Sequence, residues 1–306
     1  MMTNSIPGTL AEPDDYRLFT LKNAGDMAVT ISERGGSLRS WRTPDRYGRM
    51  ADVLLAGRAG AAVPAMWRGS QAGGGVVMLR TAQQAAPGER IDYRLDYRLG
   101  DDGSLTIDYR AEACAPAALE TNPQHCFNLN GGAGDVGDHM LRIDADYYVE
   151  IDAAGQPVGV ATVGGTPFDF RQPAPIGPRL NWPDSQIDKA GGFGHCFFVR
   201  NHYTGGQGAL REVAQVVDPG SGRCLQMYTT EAALQFCVGK RGAAAPEQGG
   251  PRPAGSLDLG LSLGPGGFGL DANARPNLAS AAWPQVVLQP GKVYRQTTVY
   301  RLSLQE

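Results

Sequence analysis

The chain holds four histidines in 306 residues, and two of them, His125 and His195, sit where strands would begin. His125 lies in TNPQHCFNLNGG and His195 in GGFGHCFFV, each after turn-forming residues and before a short apolar run. An imidazole set into an apolar run needs a partner to offset its burial, and it is the side chain that can give a proton near neutral pH. Near the C-terminus, GFGLDANARPN places the carboxylate of Asp271 after a small apolar run that Arg275, Pro276 and Asn277 then break. A positioned carboxylate can take a proton. One group that gives and one that takes meet the need of general acid–base catalysis, with a rate that rises and falls around neutral pH. The plainer reading is a packed or capped histidine and a solvated turn aspartate. His139 and His202, beside Asp138 and Asn201, read as solvated loop residues.

Strands must position these groups. Forty-two glycines and 21 prolines imply many turns and few long helices. Apolar and polar residues alternate in YRLFTL, MAVTISE, RIDYRLDYRLG, SLTIDYRAEA and KVYRQTTVYRLSL, the period of a half-buried strand. RIDYRLDYRL and SLTIDYRAEA flank Gly100-Asp101-Asp102-Gly103 and predict a hairpin. No long apolar stripe at helical spacing runs through the chain. The Gly-, Ala- and Pro-rich stretches 57–75 and 239–255 read as surface loops. Residues 1–306 are expected to form a single all-β domain.

Charge narrows the partner. Twenty-eight Lys and Arg against 31 Asp and Glu give a net charge of -3, so no strong field invites nucleic acid or an anionic membrane. Five cysteines without a C-x-x-C pair suggest free thiols, and the N-terminus lacks the basic and apolar regions of a leader. A cytoplasmic protein with a small, roughly neutral ligand is expected. Gly132-Ala133-Gly134-Asp135-Val136-Gly137 matches a dinucleotide-loop pattern, but HMLRIDADYYVEID after it alternates like a strand where a helix is required, so the match is rejected. The histidines are too scattered to indicate a metal site from spacing.

Six segments in order resemble the aldose 1-epimerase (galactose mutarotase) family. They are MAVTISERGGSLRSWRTPDRYGRMADVLLAG, TNPQHCFNLNGG, GGTPFDFRQPAPIG, GGFGHCFFV, SGRCLQMYTTEAALQFCVG, and GFGLDANARPN followed by VVLQPGKVYRQTTVYRLS. The resemblance implies a large antiparallel β-sandwich of the galactose mutarotase-like supersandwich type. It also implies interconversion of the α and β anomers of a sugar, with no cofactor and no metal. Asp271 would be the base, His195 the acid and His125 a second histidine at the ring oxygen. Asn273, Gln124 and Arg68 are the candidate substrate contacts, Gln124 because the spacing from His125 to F-N-L is one residue shorter than the family's. The family carries glutamate where this chain has Asp271 and usually glutamine where it has Asn273. Two other functions fit the same scaffold: a repurposed isomerase acting on a modified or non-sugar substrate, and a carbohydrate-binding protein without turnover.

Overall fold

The computed structural model describes residues 16–54, 65–83, 90–119, 125–200, 209–239, 259–263 and 287–305. In chain order the described elements begin with β1 (Leu18–Lys22), β2 (Ala28–Ser32), β3 (Ser37–Pro44), β4 (Met50–Asp52), β5 (Arg68–Ala72), β6 (Gly75–Gln83), β7 (Arg90–Leu99), β8 (Ser104–Ala113), β9 (Ala117–Ala118) and β10 (His125–Phe127). They continue with β11 (Met140–Ile143), β12 (Ala145–Ile151), β13 (Pro157–Thr162), β14 (Ala174–Pro175), α1 (Ile176–Leu180), α2 (Ser185–Ala190) and β15 (Gly192–Val199). The last are β16 (Arg211–Val217), β17 (Arg223–Thr229), β18 (Ala233–Gly239), β19 (Leu259–Leu263), β20 (Val287–Leu288) and β21 (Val293–Leu304).

These strands build a nine-stranded antiparallel sheet in the order β14-β11-β16-β17-β21-β8-β7-β6-β5 and a six-stranded one in the order β10-β19-β18-β15-β12-β13. A four-stranded sheet, β1 to β4, packs beside them, and β20 pairs with β9. The two large sheets meet where Phe127 of β10 packs on Tyr300 of β21, ring centroids 5.5 Å apart, and Trp41 of β3 closes on the same Phe127 at 6.5 Å. The strands expected from the alternating pattern, and the antiparallel β-sandwich that the family resemblance implied, are therefore the fold observed.

The hairpin of β7 and β8 shows why the pattern was readable. Its register runs from Ile91 opposite Ala113 to Leu99 opposite Leu105. In each D-Y-R triplet the tyrosine, Tyr93, Tyr97 or Tyr109, is buried. The flanking charges lie on the outer face, where Arg94 pairs with Asp96 and Arg98 with Asp108. Exposed pairs of this kind add little to stability, so the triplet's contribution comes from the aromatic row. Gly103 closes the turn at φ 79°, and a Cβ there would sit 2.3 Å from the Leu302 carbonyl oxygen.

One expectation is corrected. The stretch 57–75, read as a surface loop, contains β5, which pairs with β6 from Arg68 opposite Leu79 to Ala72 opposite Gly75. Gly73 and Gly74 turn the chain at φ 56° and 77°, the doubly left-handed corner that a tight two-residue hairpin demands. Trp67, just before β5, is buried against Tyr93 at 6.2 Å and lies flat on Gly36, where a Cβ would approach the indole to 2.9 Å. Composition hid the strand because β5 is an edge whose exposed face has no need of apolar residues.

Candidate functional site

Antiparallel register places the two candidate histidines. His125 of β10 stands opposite Leu261 of β19, Leu261 opposite Phe236 of β18, and Phe236 opposite His195 of β15. Directly paired residues share a face of the sheet, so this register sets His125, Phe236 and His195 on one face. Three interstrand steps of ~4.8 Å set the two histidine backbones about 14 Å apart. The shared face is the inner one, since His125 and His195 are both buried and Phe236 is fully so.

The surroundings of His195 come from three motifs. Phe168, from G-T-P-F-D-F, presents its ring to the imidazole at 4.6 Å and stacks on Tyr148 of β12 at 4.1 Å. The motif holds its own shape: Thr166 Oγ1 donates to the Val163 carbonyl at 2.7 Å, and the Phe168 N–H donates to that same Oγ1 at 3.1 Å. Helix α2 supplies Gln186, whose Oε1 lies 3.4 Å from His195 Nε2, while Nδ1 lies 3.2 Å from the N–H of Gly194. Asp184 caps α2 through the Gln186 and Ile187 N–H groups, and Gly191 ends it in the left-handed conformation, which glycine adopts without steric cost. The aromatic wall excludes water. Burial, aided by the Lys189 ammonium, accordingly pushes the His195 pKa down to about 3.

His125 bridges the two sheets. Its Nδ1 lies 3.4 Å from the Tyr300 hydroxyl, the rings crossing edge to face at 5.8 Å. Its Nε2 is buried and has no hydrogen-bond partner among the described residues. Burial alone pushes its pKa down to about 4. The unfolded chain binds this proton near pH 6.5 and the folded chain does so only near 4, so stability is highest above 6.5 and falls as the pH drops through that window. At ~1.4 kcal/mol per pKa unit the loss from His125 amounts to about 3 kcal/mol. His125→Phe is expected to flatten the fall of the unfolding free energy, read from urea melts between pH 6.5 and 4, by that amount; an unchanged slope would show that His125 does not carry it.

The other proposed positions divide. Arg68 lies on β5, the terminal strand of the nine-stranded sheet, exposed and on the face opposite the buried Met78, so it is not on the inner side of that sheet. Asp271, Asn273 and Gln124 lie outside the described residues, as does His202.

His139 requires a correction. It is buried, where a solvated loop residue was expected. Its Nε2 accepts the Leu129 N–H at 3.1 Å and its Nδ1 faces Asp218 at 3.9 Å. Burial pushes its pKa down, with Asp218 opposing. Asp218 in turn accepts the Ser221 N–H at 2.9 Å, and Ser221 Oγ donates to the Leu129 carbonyl at 3.1 Å. Arg223, from the same S-G-R run, donates to the carbonyls of Leu129, Arg49, Pro44 and Thr43 at 2.8, 3.0, 3.2 and 3.3 Å. The P-D-R, F-N-L and S-G-R segments thus meet in one buried polar hub, directly beyond the strand that carries His125.

The aldose 1-epimerase family profile matches residues 67–301. The chain belongs to the aldose 1-epimerase family. The aldose 1-epimerase of Escherichia coli (strain K12) is 29% identical over 360 residues, covering 98% of this chain and 99% of that protein. The galactose mutarotase of Bos taurus is 32% identical over 227 residues, covering 72% of this chain and 60% of that one. Among solved structures, the galactose 1-epimerase from Lactobacillus acidophilus NCFM superposes with a TM-score of 0.68 at 19% identity, covering 95% of this chain and 99% of that one. The aldose epimerase homologue from C. elegans gives the same TM-score at 17% identity, covering 95% and 100%. At such identities the superpositions speak for the fold alone. Membership of the aldose 1-epimerase family makes the chain an isomerase-class enzyme.

Against this family background, Gln186, His139 and Arg223 are what sequence reasoning missed. Asp184-Ser185-Gln186 does carry a helix-start signal, but nothing local tells that the glutamine turns inward. Arg223 lay inside a quoted motif without a role assigned to it.

Proposed function

We propose that the chain is an anomer-interconverting epimerase acting on an aldose or a related cyclic hemiacetal. Asp271 removes the proton from the anomeric hydroxyl while His195 protonates the ring oxygen. The C1–O5 bond opens, the aldehyde end rotates, and closure on the other face returns both protons. His125 holds the ring oxygen or assists that transfer. Asn273 and Gln124 are the candidate hydroxyl contacts; Arg68, on the exposed edge, is left out of the site.

The observation that carries this reading is the row joining His125 to His195 across one buried sheet face in a chain of this family. A buried nitrogen without a partner, such as His125 Nε2, is costly unless a ligand satisfies it. Acid–base work at two atoms of one substrate needs groups held still on a rigid element, and hydrogen-bonded strands of one sheet meet that need.

NMR anomerisation on a panel of pentoses, hexoses, deoxy and acidic sugars tests the reading. Catalysed approach to anomeric equilibrium is expected for at least one aldose. Binding without acceleration would replace the enzyme with a carbohydrate-binding protein, and no response to any sugar would move the substrate outside the sugars.

A further inference from the structure

His139 is a buried histidine outside the pair that faces the inner side of the six-stranded sheet. Its Nε2 accepts the Leu129 N–H at 3.1 Å. A ring nitrogen that accepts carries no hydrogen, so the hydrogen of the neutral imidazole is on Nδ1. Nδ1 is buried, has no hydrogen-bond partner among the described residues, and faces Asp218 Oδ1 at 3.9 Å, beyond hydrogen-bond reach. The ring thus stands between a backbone donor that needs it neutral and a carboxylate that would hold it charged. Burial disfavours the charged ring and prevails, while Asp218, with Asp135 and Asp138 from the ring's own loop, favours it. The cation of the hub, Arg223 of β17, is drawn to Asp45 and Asp218, and α1 reaches His139 through the Ile176 N–H, which donates to the His139 carbonyl at 3.1 Å.

A second proton changes which contact the ring can make. It lands on Nε2, where it meets the Leu129 N–H donor to donor. Nδ1 and Nε2 point apart across the ring, so closing the 3.9 Å gap to an ion-pair distance of about 2.8 Å withdraws Nε2 from Leu129 by about 1 Å. Leu129 is held from both sides: its carbonyl by Ser221 Oγ at 3.1 Å and Arg223 Nη1 at 2.8 Å, its N–H by His139. It lies two residues past β10, the strand that carries His125. The one polar contact of the His125 ring is the long approach to the Tyr300 hydroxyl at 3.4 Å, so the backbone of β10 decides where that ring sits.

We propose that His139 is a proton-operated latch that positions His125: neutral, it fastens Leu129 and with it the end of β10; protonated, it releases Leu129 and closes on Asp218. This rests on the place given to His125 in the substrate site above. The folded ring takes its proton at a lower pH than the unfolded one, so the latch is shut at pH 6.5 and above and opens at a pH below that.

Proton–nitrogen NMR of the ¹⁵N-labelled full chain, without sugar, follows the ring and the Leu129 amide together. At pH 7 the His139 ring is expected with hydrogen on Nδ1. On acidification the Leu129 amide should shift along the His139 titration and lose about tenfold of its hydrogen-exchange protection, the worth of one hydrogen bond, while the amides of β7 and β8 keep theirs. KM for α-D-galactose or α-D-glucose should rise about tenfold over the same titration with kcat within about twofold. His139→Gln supplies a neutral acceptor that cannot titrate, so this step in KM disappears, whereas His139→Leu leaves the Leu129 N–H unmet and should raise KM at every pH. Asp218→Asn removes the carboxylate that favours the charged ring and should move both steps to lower pH. A Leu129 amide that does not follow the His139 titration overturns the proposal. So does hydrogen on Nε2 at pH 7, a loss of protection shared by every strand, or a KM step that survives at the same pH in His139→Gln. Where His139→Gln fails to fold, the wild-type amide titration and its shift in Asp218→Asn decide in its place. Absence of turnover with every sugar would end the substrate reading, and the sugar-free amide titration still upholds or overturns the latch.

Discussion

Replacing His195 with Asn is expected to lower kcat for anomerisation about a thousandfold with KM little changed, the middle of the range for a lost general acid. Asn keeps a polar amide but has no titratable nitrogen and gives up the ring contacts with Phe168 and Tyr148, so a melting curve of the variant is read beside its kcat to separate the lost proton from lost packing. Burial and Lys189 hold the free imidazole's pKa down at about 3, so the protonated form that the acid role requires depends on a carboxylate brought beside the ring. A carboxylate within about 4–6 Å raises such a group by one to three units. In the proposed site that carboxylate is Asp271. Asp271→Asn should then do two things at once: remove the base and shift the His195 titration, followed by NMR, to lower pH. The sign also fixes the rate profile. Its alkaline limb marks loss of the His195 proton and moves to lower pH in the Asp271 variant, so the bell centred near neutrality that an ordinary histidine would give is displaced towards acid. His195→Asn retaining activity within about threefold of the wild type would take His195 out of the chemistry.

The parts of the protein that were legible in sequence are those in which a local rule and the global fold agree. In β7 and β8, buried and exposed residues alternate along ten positions each, and period two is a local property that needs no knowledge of the partner strand. The first segment to escape, β5, had its own local sign. Gly73-Gly74 between RGSQA and GVVMLR is a hairpin corner, but the surrounding Gly and Ala content outweighed it.

The site was legible to a different degree. His125 and His195 were singled out because each follows turn-forming residues and precedes a short apolar run, and both are buried on one face. Their separation was not readable, because it depends on β18 and β19 lying between β10 and β15, a matter of topology across more than a hundred residues. His139 shows the reverse error. Its neighbour Asp138 suggested solvent, whereas its contacts are Leu129, ten residues back, and Asp218, brought in from the turn after β16. A polar residue's burial is decided by partners of this kind, and sequence proximity carries no information about them. Gln186 belongs to the same class: its partners Ile151 and His195 come from two other elements.

The hub around Arg223 is expected to be where stability is most concentrated. Arg223→Met should lower the melting temperature by about 10 °C. The guanidinium is 2% exposed and donates to four backbone carbonyls from three separate segments. Met fills much of the volume but leaves those acceptors without their donor, and an unmet buried polar group costs about 1–3 kcal/mol. Leu129 retains the Ser221 hydroxyl, which reduces the sum, and the loss of the positive charge beside Asp45 and Asp218 adds to it. A net of about 4 kcal/mol follows, and at 2–4 °C per kcal/mol for domains of a few hundred residues the shift comes to roughly 10 °C. Arg223→Lys separates charge from geometry: an ammonium presents three donors from one point and cannot span carbonyls on both sides of a planar fork, so it should recover no more than about half the loss. Calorimetry decides between these outcomes, and a melting point of Arg223→Met within about 2 °C of the wild type would mean that water or a shifted backbone serves the carbonyls equally well. Because the Leu129 carbonyl lies two residues past the end of β10, loosening the hub should also raise KM in Arg223→Lys at temperatures where the fold is intact, which links the most buried cation of the S-G-R run to the placement of His125.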